Sequence, residues 1–167
     1  MKVALDVESV LADSNEAALQ STDKLDRAEL LGEWDLSEHQ WQVYMGVTDA
    51  IWRHNPQFIP PEEPNLDRYV AEIRESVETL DILTAREHVD ESIVWWLSEH
   101  GIEYDEFIST GRPKYEYDYD VFIDDNPEMV GSVRLFLRDQ PWNQSVDDEA
   151  LKTCDRICSL GEVSSFL

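Results

Sequence analysis

Positive charge is what this chain has least of. Thirteen lysines and arginines face 37 aspartates and glutamates, a net charge of −24 over 167 residues. Only Lys2, Lys24, Lys114 and Lys152 are lysine. A surface of that sign repels phosphate backbones and anionic headgroups, which argues against a nucleic-acid polymer or a membrane as partner. Cysteine is nearly absent as well. Cys154 and Cys158 are spaced neither as C-x-x-C nor ahead of a histidine pair, which excludes a zinc finger and leaves two free thiols. His39, His54, His88 and His100 are scattered without metal-ligand spacing. No run of about 18 apolar residues exists, so no membrane-spanning helix is expected. The sequence enters an apolar segment at once, with no signal-peptide pattern, and a cytoplasmic location is expected. There is no internal repeat and no low-complexity stretch.

Apolar residues are plentiful, at 42%, with six Trp, six Tyr and five Phe. That is enough to build a core, and the length suits one domain with room for a small inserted lobe. The excess of carboxylates would repel itself at low salt. At about 1 M salt the Debye length falls to roughly 3 Å and that repulsion is screened. The composition therefore predicts a halophilic protein adapted to a salty cytoplasm.

Periodicity orders the chain into alternating strands and helices. A buried strand is expected over 2–6. Residues 14–65 read as a mostly helical insertion, with helical composition from Ser14 to Leu31. From Ser37 to Arg53, Trp41, Tyr44, Thr48, Ile51 and Trp52 share one 3.6-period face. Pro56, Pro60, Pro61 and Pro64 mark a linker. Asn65 stands where it could cap a helix carrying Leu66, Tyr69, Val70, Ile73 and Val77. A strand over 79–84 follows, then a helix over 88–100 with Val89, Ile93, Val94 and Leu97 inward and Gly101 at its C′ position. Strands are expected over 103–108, 120–123 and 132–137, with a polar loop over 109–118 and a short helix over 126–131. The acidic stretch 145–153 reads as helix, 156–160 as an edge strand and 162–167 as a closing turn. Such alternation implies a parallel sheet.

Three apolar runs each end in polar residues that suit one chemistry. Met1–Leu5 runs into Asp6, Leu80–Leu83 into Thr84, and Val121–Ile123 into Asp124 and Asp125, with Lys114 ten residues before that pair. In open α/β sheets, ligands bind beyond the carboxyl ends of the strands, so these residues can meet. A carboxylate nucleophile, a hydroxyl, an ammonium and extra carboxylates suit Mg²⁺-dependent phosphoryl transfer.

The arrangement resembles the haloacid dehalogenase superfamily. Its first motif, usually Asp-x-Asp-Gly-(Thr/Val), is matched by Asp6-Val7-Glu8-Ser9-Val10. The second is matched by Asp81-Ile82-Leu83-Thr84, and the third and fourth by Lys114 through Asp125. Within the superfamily the chain is most similar to the 5'(3')-deoxyribonucleotidases. It shares their Val-Leu-Ala-Asp at Val10–Asp13 and their Lys-to-Asp-Asp spacing, and Asp139-Gln140-Pro141-Trp142-Asn143 looks like their Asp-Gln-Pro-Tyr-Asn. The likeness covers residues 1–13 and about 66–167. It implies an α/β, Rossmannoid three-layer sandwich with a central parallel sheet, a core of 1–13 and 66–167, and a helical cap of 14–65 inserted after the first strand.

The resemblance also implies roles. Asp6 would be the nucleophile and Glu8 the acid/base. Thr84 and Lys114 would hold phosphate. Asp6, Glu8 (through its backbone carbonyl), Asp124 and Asp125 would gather Mg²⁺. The expected activity is a phosphomonoesterase working through an aspartyl-phosphate, acting as a 5'-nucleotidase on (deoxy)nucleoside monophosphates. The expected partners are such a small phosphorylated metabolite and a second copy of the chain. Arg86 and Arg112 flank these positions and could meet substrate anions. Trp34, Trp41, Tyr44 and Trp52 fall in the cap, where packing competes with stacking on a base. Glu8-Ser9 replace the usual Asp-Gly, so a metal- and phosphate-binding regulatory protein with impaired catalysis is the alternative. A carbon–halogen hydrolase needs no Mg²⁺, and the Asp124-Asp125 pair argues against it.

Overall fold

Short runs such as Val3–Leu5, Leu80–Leu83 and Leu135–Leu137 are apolar at nearly every position, the pattern of strands buried on both faces. In the computed structural model, which describes residues 1–147 and 149–167, they form one parallel sheet. Its strands are β1 (Lys2–Leu5), β2 (Thr79–Thr84), β3 (Phe107–Ser109), β4 (Val121–Asp124), β5 (Leu135–Arg138) and β6 (Asp155–Ile157), in the order β3-β2-β1-β4-β5-β6. Leu5 pairs with Ile82 on one side and Ile123 on the other. The chain runs from β1 out to β3 and then returns to β4 on the other side of β1. The carboxyl ends of β1 and β4 thus flank the point where strand order reverses, the usual crevice for a ligand.

The helices are α1 (Ser14–Ser21), α2 (Arg27–Gly32), α3 (Glu38–His54), α4 (Leu66–Ser76) and α5 (Asp90–Glu99). Val3, Leu5, Ile82, Ile123 and Phe136 face a core closed by Trp52 of α3, Val70 and Ile73 of α4, and Ile93 and Trp96 of α5. Ala4, Leu83, Phe122, Leu135 and Leu137 face the other way, against Met129 and partly buried tyrosines and valines. That second covering layer is thin. The helices expected over 126–131 and 145–153 are single 3-10 turns, Pro127–Met129 and Ala150–Thr153, and residue 148 lies outside the described residues. A further cluster of Ala18, Leu25, Leu30 and Tyr44 knits α1–α3 together.

Several expectations shift. The helical stretch from Ser14 to Leu31 is two helices, because Asp26 accepts from the N–H groups of Ala28 and Glu29 and starts a second one. Trp41 is half exposed while the rest of its expected face is buried. Val94 is also exposed, and Trp96 takes the inward place. Five residues past Val89 is roughly 140° around the helix, whereas seven is close to two full turns and returns to the same face. Asn65 adopts φ +63 and makes no side-chain cap. The strand expected over 103–108 begins only at Phe107, because Asp105 turns its carboxylate to the Leu80 N–H and to Arg74. Gly101, at φ +67, holds the left-handed position expected after α5. The expected strands 132–137 and 156–160 lie at β5 and β6, and the closing turn spans Leu160–Ser165. Among the described residues no helix is long and apolar enough to cross a membrane.

Candidate active site

Asp6 leaves β1 with its N–H donated to the Ile123 carbonyl of β4 at 3.0 Å. That bond places it beside Asp124, the last residue of β4, and Asp125. The three carboxylates offer oxygens that all lie within 4.8 Å of one another. Lys114, from the turn Lys114–Glu116, reaches Asp6 Oδ1 at 2.7 Å and Asp124 Oδ2 at 2.8 Å. The three aspartates are buried, and the Lys114 side chain is 9% exposed. Trp142 Nε1 donates to Asp125 Oδ2 at 2.8 Å, the Asn143 amide to the Asp125 carbonyl at 3.0 Å, and the Asn126 N–H to Asp124 Oδ1 at 2.9 Å.

One ammonium cannot balance three buried carboxylates. Burial, followed by Asp124, pushes Asp6 up to about 7 against the pull of Lys114. Burial, then Asp124 and Asp6, hold Asp125 well above the usual carboxylate range. Burial works against the Lys114 ammonium, yet Asp124 and Asp6 outweigh it and raise that group. A cluster of hard oxygen donors with unbalanced negative charge fits a divalent cation of the Mg²⁺ type. Asp6, Asp124 and Asp125 are the residues that would hold it.

Glu8 is oriented differently. Its Oε2 accepts from Arg86 Nε at 2.9 Å and its Oε1 from Arg86 Nη2 at 2.9 Å and Trp52 Nε1 at 3.3 Å. Arg86 Nη1 donates to Asp49 Oδ1 of α3 at 2.6 Å. The Arg86 side chain is only 2% exposed, so the guanidinium sits inside the joint between the β1 loop, the end of β2 and α3. Burial opposes its charge, and Glu8 more than offsets that opposition. The carboxylate of Glu8 therefore stands outside the cluster of three aspartates. Ser9 has φ +63, in the left-handed region that costs a non-glycine residue about 1–2 kcal/mol. The turn is held by Val7, whose carbonyl accepts from Leu11 and Ala12, and by Gln140, whose amide donates to the Ser9 carbonyl at 2.7 Å.

A cavity of about 400 Å³ opens above this floor. Lys114 and the three aspartates form one end, and Leu30, Trp34, Leu36, Trp41, Tyr44 and Met45 form the other. Ala85 and Arg86 line it where Thr84 was expected. Thr84 is buried behind them, with its hydroxyl accepting from the Arg86 N–H at 3.2 Å. Arg112 also lines the cavity, but its guanidinium is exposed, near Glu116 and 4.9 Å over the Tyr117 ring. Trp52 is turned away and packs edge-on against Trp96 at 6.3 Å.

No protein-family model matches the sequence, and no curated protein does. Solved structures do. A haloacid dehalogenase-like family hydrolase from Streptococcus pneumoniae is 14% identical, with 99% of this chain and 98% of that one covered, at a TM-score of 0.69. CbbY from Rhodobacter sphaeroides, solved in complex with phosphate, is 13% identical over 97% and 95%, at 0.58. A 2-haloacid dehalogenase from Pseudomonas syringae is 13% identical over 98% and 96%, at 0.56. The chain has the haloacid dehalogenase fold. At such identities the likeness concerns architecture, and function must be argued from the site.

Within that fold, several residues at the site carried little signal in the sequence. Gln140, Trp142 and Asn143 lie in a short polar segment, and nothing in the segment itself ties it to Asp125 or Ser9. Asp49 is one acid among 37, and only the position of Arg86 distinguishes it.

The charge imbalance predicts a pH effect. Asp6 holds its proton more tightly folded than unfolded, so it favours the fold below its ordinary value of 3.8, and this contribution is lost as pH rises through about 7. Asp125 acts in the same direction. In the absence of divalent ions, the melting temperature is expected to fall across that window, and Asp6→Asn to flatten the fall. Added Mg²⁺ is expected to raise the melting temperature most above pH 7, where the carboxylates are ionised. Scanning calorimetry checks both; a Mg²⁺ effect that is larger at pH 5 than at pH 8 contradicts them.

Proposed function

We propose that the chain is a Mg²⁺-dependent phosphomonoesterase, with residues 14–65 as a cap over a core of 1–13 and 66–167. The observation that carries the reading is the buried group of Asp6, Asp124, Asp125 and Lys114 at the point where strand order reverses. An Asp6 oxygen attacks the phosphorus, the bond to the ester oxygen breaks, and that oxygen leaves with a proton from Glu8. Water then attacks the phosphorus of the aspartyl-phosphate, Glu8 takes its proton, and Asp6 and inorganic phosphate are released. Lys114 neutralises phosphate oxygens, and Thr84 supports the loop that borders them. A cation held by Asp6, Asp124 and Asp125 would supply further neutralisation of the phosphoryl charge.

A nucleoside monophosphate is the proposed substrate. Trp34 and Trp41 on the cavity wall offer faces to a planar base, and the cavity volume falls in the range for ligands of that size. The test is phosphate release from nucleoside monophosphates and sugar phosphates in molar KCl, with Mg²⁺ and with a chelator, and with Asp6→Asn as control. Release is expected only with Mg²⁺ and the unaltered Asp6. Undiminished release in chelator overturns the metal-dependent reading.

One observation favours a second reading, a binding protein that has lost turnover. Both Glu8 oxygens are engaged by Arg86, so the carboxylate is held in an ion pair outside the cluster of three aspartates. Glu8→Asp separates the two. A gain from an inert wild type supports lost turnover; a loss from an active one supports the enzyme.

The acidic surface is read as adaptation to a salt-rich cytoplasm. The melting temperature is expected to rise steadily with KCl up to about 1 M, where the Debye length is roughly 3 Å. A salt-independent melting temperature overturns that reading.

A further inference from the structure

The turn that follows β5 grips the floor of the site without supplying any of the residues that would hold a cation. Gln140 caps the short 3-10 turn Pro141–Asn143, with its backbone N–H donated to Asn143 Oδ1 at 3.2 Å. Asn143 is fully buried, and every polar group of its side chain is used. Its amide hydrogens go to the Asp125 carbonyl at 3.0 Å and to the Arg138 carbonyl at 2.8 Å. Its Oδ1 also accepts from Arg156 Nη1 at 2.8 Å, while Arg156 Nη2 donates to its backbone carbonyl at 3.0 Å. An amide has two hydrogens and two lone pairs to offer, and all four are taken. Turning it would strand buried polar groups, so the turn is pinned between the ends of β4 and β5 and the edge strand β6.

From that anchored turn two side chains reach the site. Gln140 Nε2 donates to the Ser9 carbonyl at 2.7 Å and holds the strained loop after Asp6. Trp142 Nε1 donates to Asp125 Oδ2 at 2.8 Å, and its ring, 7% exposed, borders the cavity. Asp6 and Asp124 are steadied by Lys114, and Asp124 by the Asn126 N–H as well. Among the described residues, the Asp125 side chain has the Trp142 indole as its one hydrogen-bond donor. An indole offers a hydrogen and no lone pair, so it fixes that oxygen without competing for a cation.

We propose that Trp142 is a positioning residue for the cation site: held by the saturated Asn143 turn, it presents the Asp125 carboxylate in the orientation a divalent cation requires. The proposal rests on the reading of Asp6, Asp124 and Asp125 as a Mg²⁺ site. It goes beyond that reading by tying the affinity of the site to an indole that is not itself a ligand.

Isothermal calorimetry with Mg²⁺ in molar KCl, on wild type and Trp142→Phe, tests it. Phenylalanine keeps a ring against the cavity wall and removes the N–H. The dissociation constant is expected to rise about 10-fold or more, the scale for losing a hydrogen bond that orients a metal ligand. An unchanged constant in a folded Trp142→Phe protein overturns the proposal. A second arm uses wild type alone and so stands even if the variant does not fold. The indole N–H resonance of Trp142, one of six in the chain, is expected to shift as Mg²⁺ is added, with the midpoint that calorimetry gives. A Trp142 resonance unmoved at saturating Mg²⁺ overturns the proposal. Wild type that takes up no Mg²⁺ in either arm overturns the metal reading and the proposal together, whereas equal uptake by wild type and Trp142→Phe overturns the proposal alone.

Discussion

Asp6→Asn is expected to lower phosphate release by at least about 10⁴-fold, the scale seen when a covalent nucleophile is removed. Asparagine keeps the shape of the side chain and can still accept from Lys114, which now donates at 2.7 Å. It lacks an anionic oxygen to form the bond to phosphorus, so no intermediate can form. The fold should survive the change. Asp6 is one of three buried carboxylates that share one ammonium, and losing a negative charge there relieves repulsion with Asp124 and Asp125. The variant should therefore melt at or above the wild-type temperature at pH 8 without divalent ions while releasing no phosphate. Wild-type rates in a folded Asp6→Asn protein would remove Asp6 from the chemistry.

Arg86→Met is expected to destabilise the fold more than Asp6→Asn or Glu8→Asp. Removing one partner of a buried ion pair leaves the other charge stranded, at about 3–5 kcal/mol when both partners are fully buried. Arg86 is fully buried, but the Glu8 and Asp49 side chains are 20% and 37% exposed, so water recovers part of that cost. A loss of about 2–3 kcal/mol in denaturant unfolding is the expectation. Arg86→Lys keeps the charge and loses the fork that meets both Glu8 oxygens, so its loss should be smaller. Adding Glu8→Gln to Arg86→Met should recover at least about 1 kcal/mol, because an amide is not stranded as a charge. If the double variant is as unstable as Arg86→Met, the destabilisation comes from lost packing or from the stranded Asp49 rather than from Glu8.

The Glu8–Arg86 pair also departs from what the motif implies. The resemblance points to a free acid two residues after the nucleophile. Here the longer side chain at that position reaches Arg86 and Trp52, and Arg86 in turn holds Asp49 of α3. The same arginine that ties α3 to the loop after β1 thus occupies the group proposed to move protons. Ser9 adds local strain just beyond it, with Gln140 and the Val7 carbonyl holding the turn in place.

The sequence by itself determined the sheet and the floor of the site. Strands buried on both faces must be apolar almost throughout, and that signal is local, so β1, β2, β4 and β5 are readable within a few residues. Parallel strands put their carboxyl ends on one rim, so Asp6, Asp124 and Asp125 could be expected together, and the motif spacing added Lys114. Only the tertiary structure decided where Glu8 points, that Arg86 is buried between Glu8 and Asp49, and that Trp142 and Asn143 brace Asp125. Those relations join residues as far apart as 78 positions. They depend on rotamers and on which helix face meets which loop, and neither periodicity nor composition encodes them. The thin second layer was hidden for a related reason: an acidic, polar stretch has helical composition but too little apolar surface to bury a full helix against the sheet.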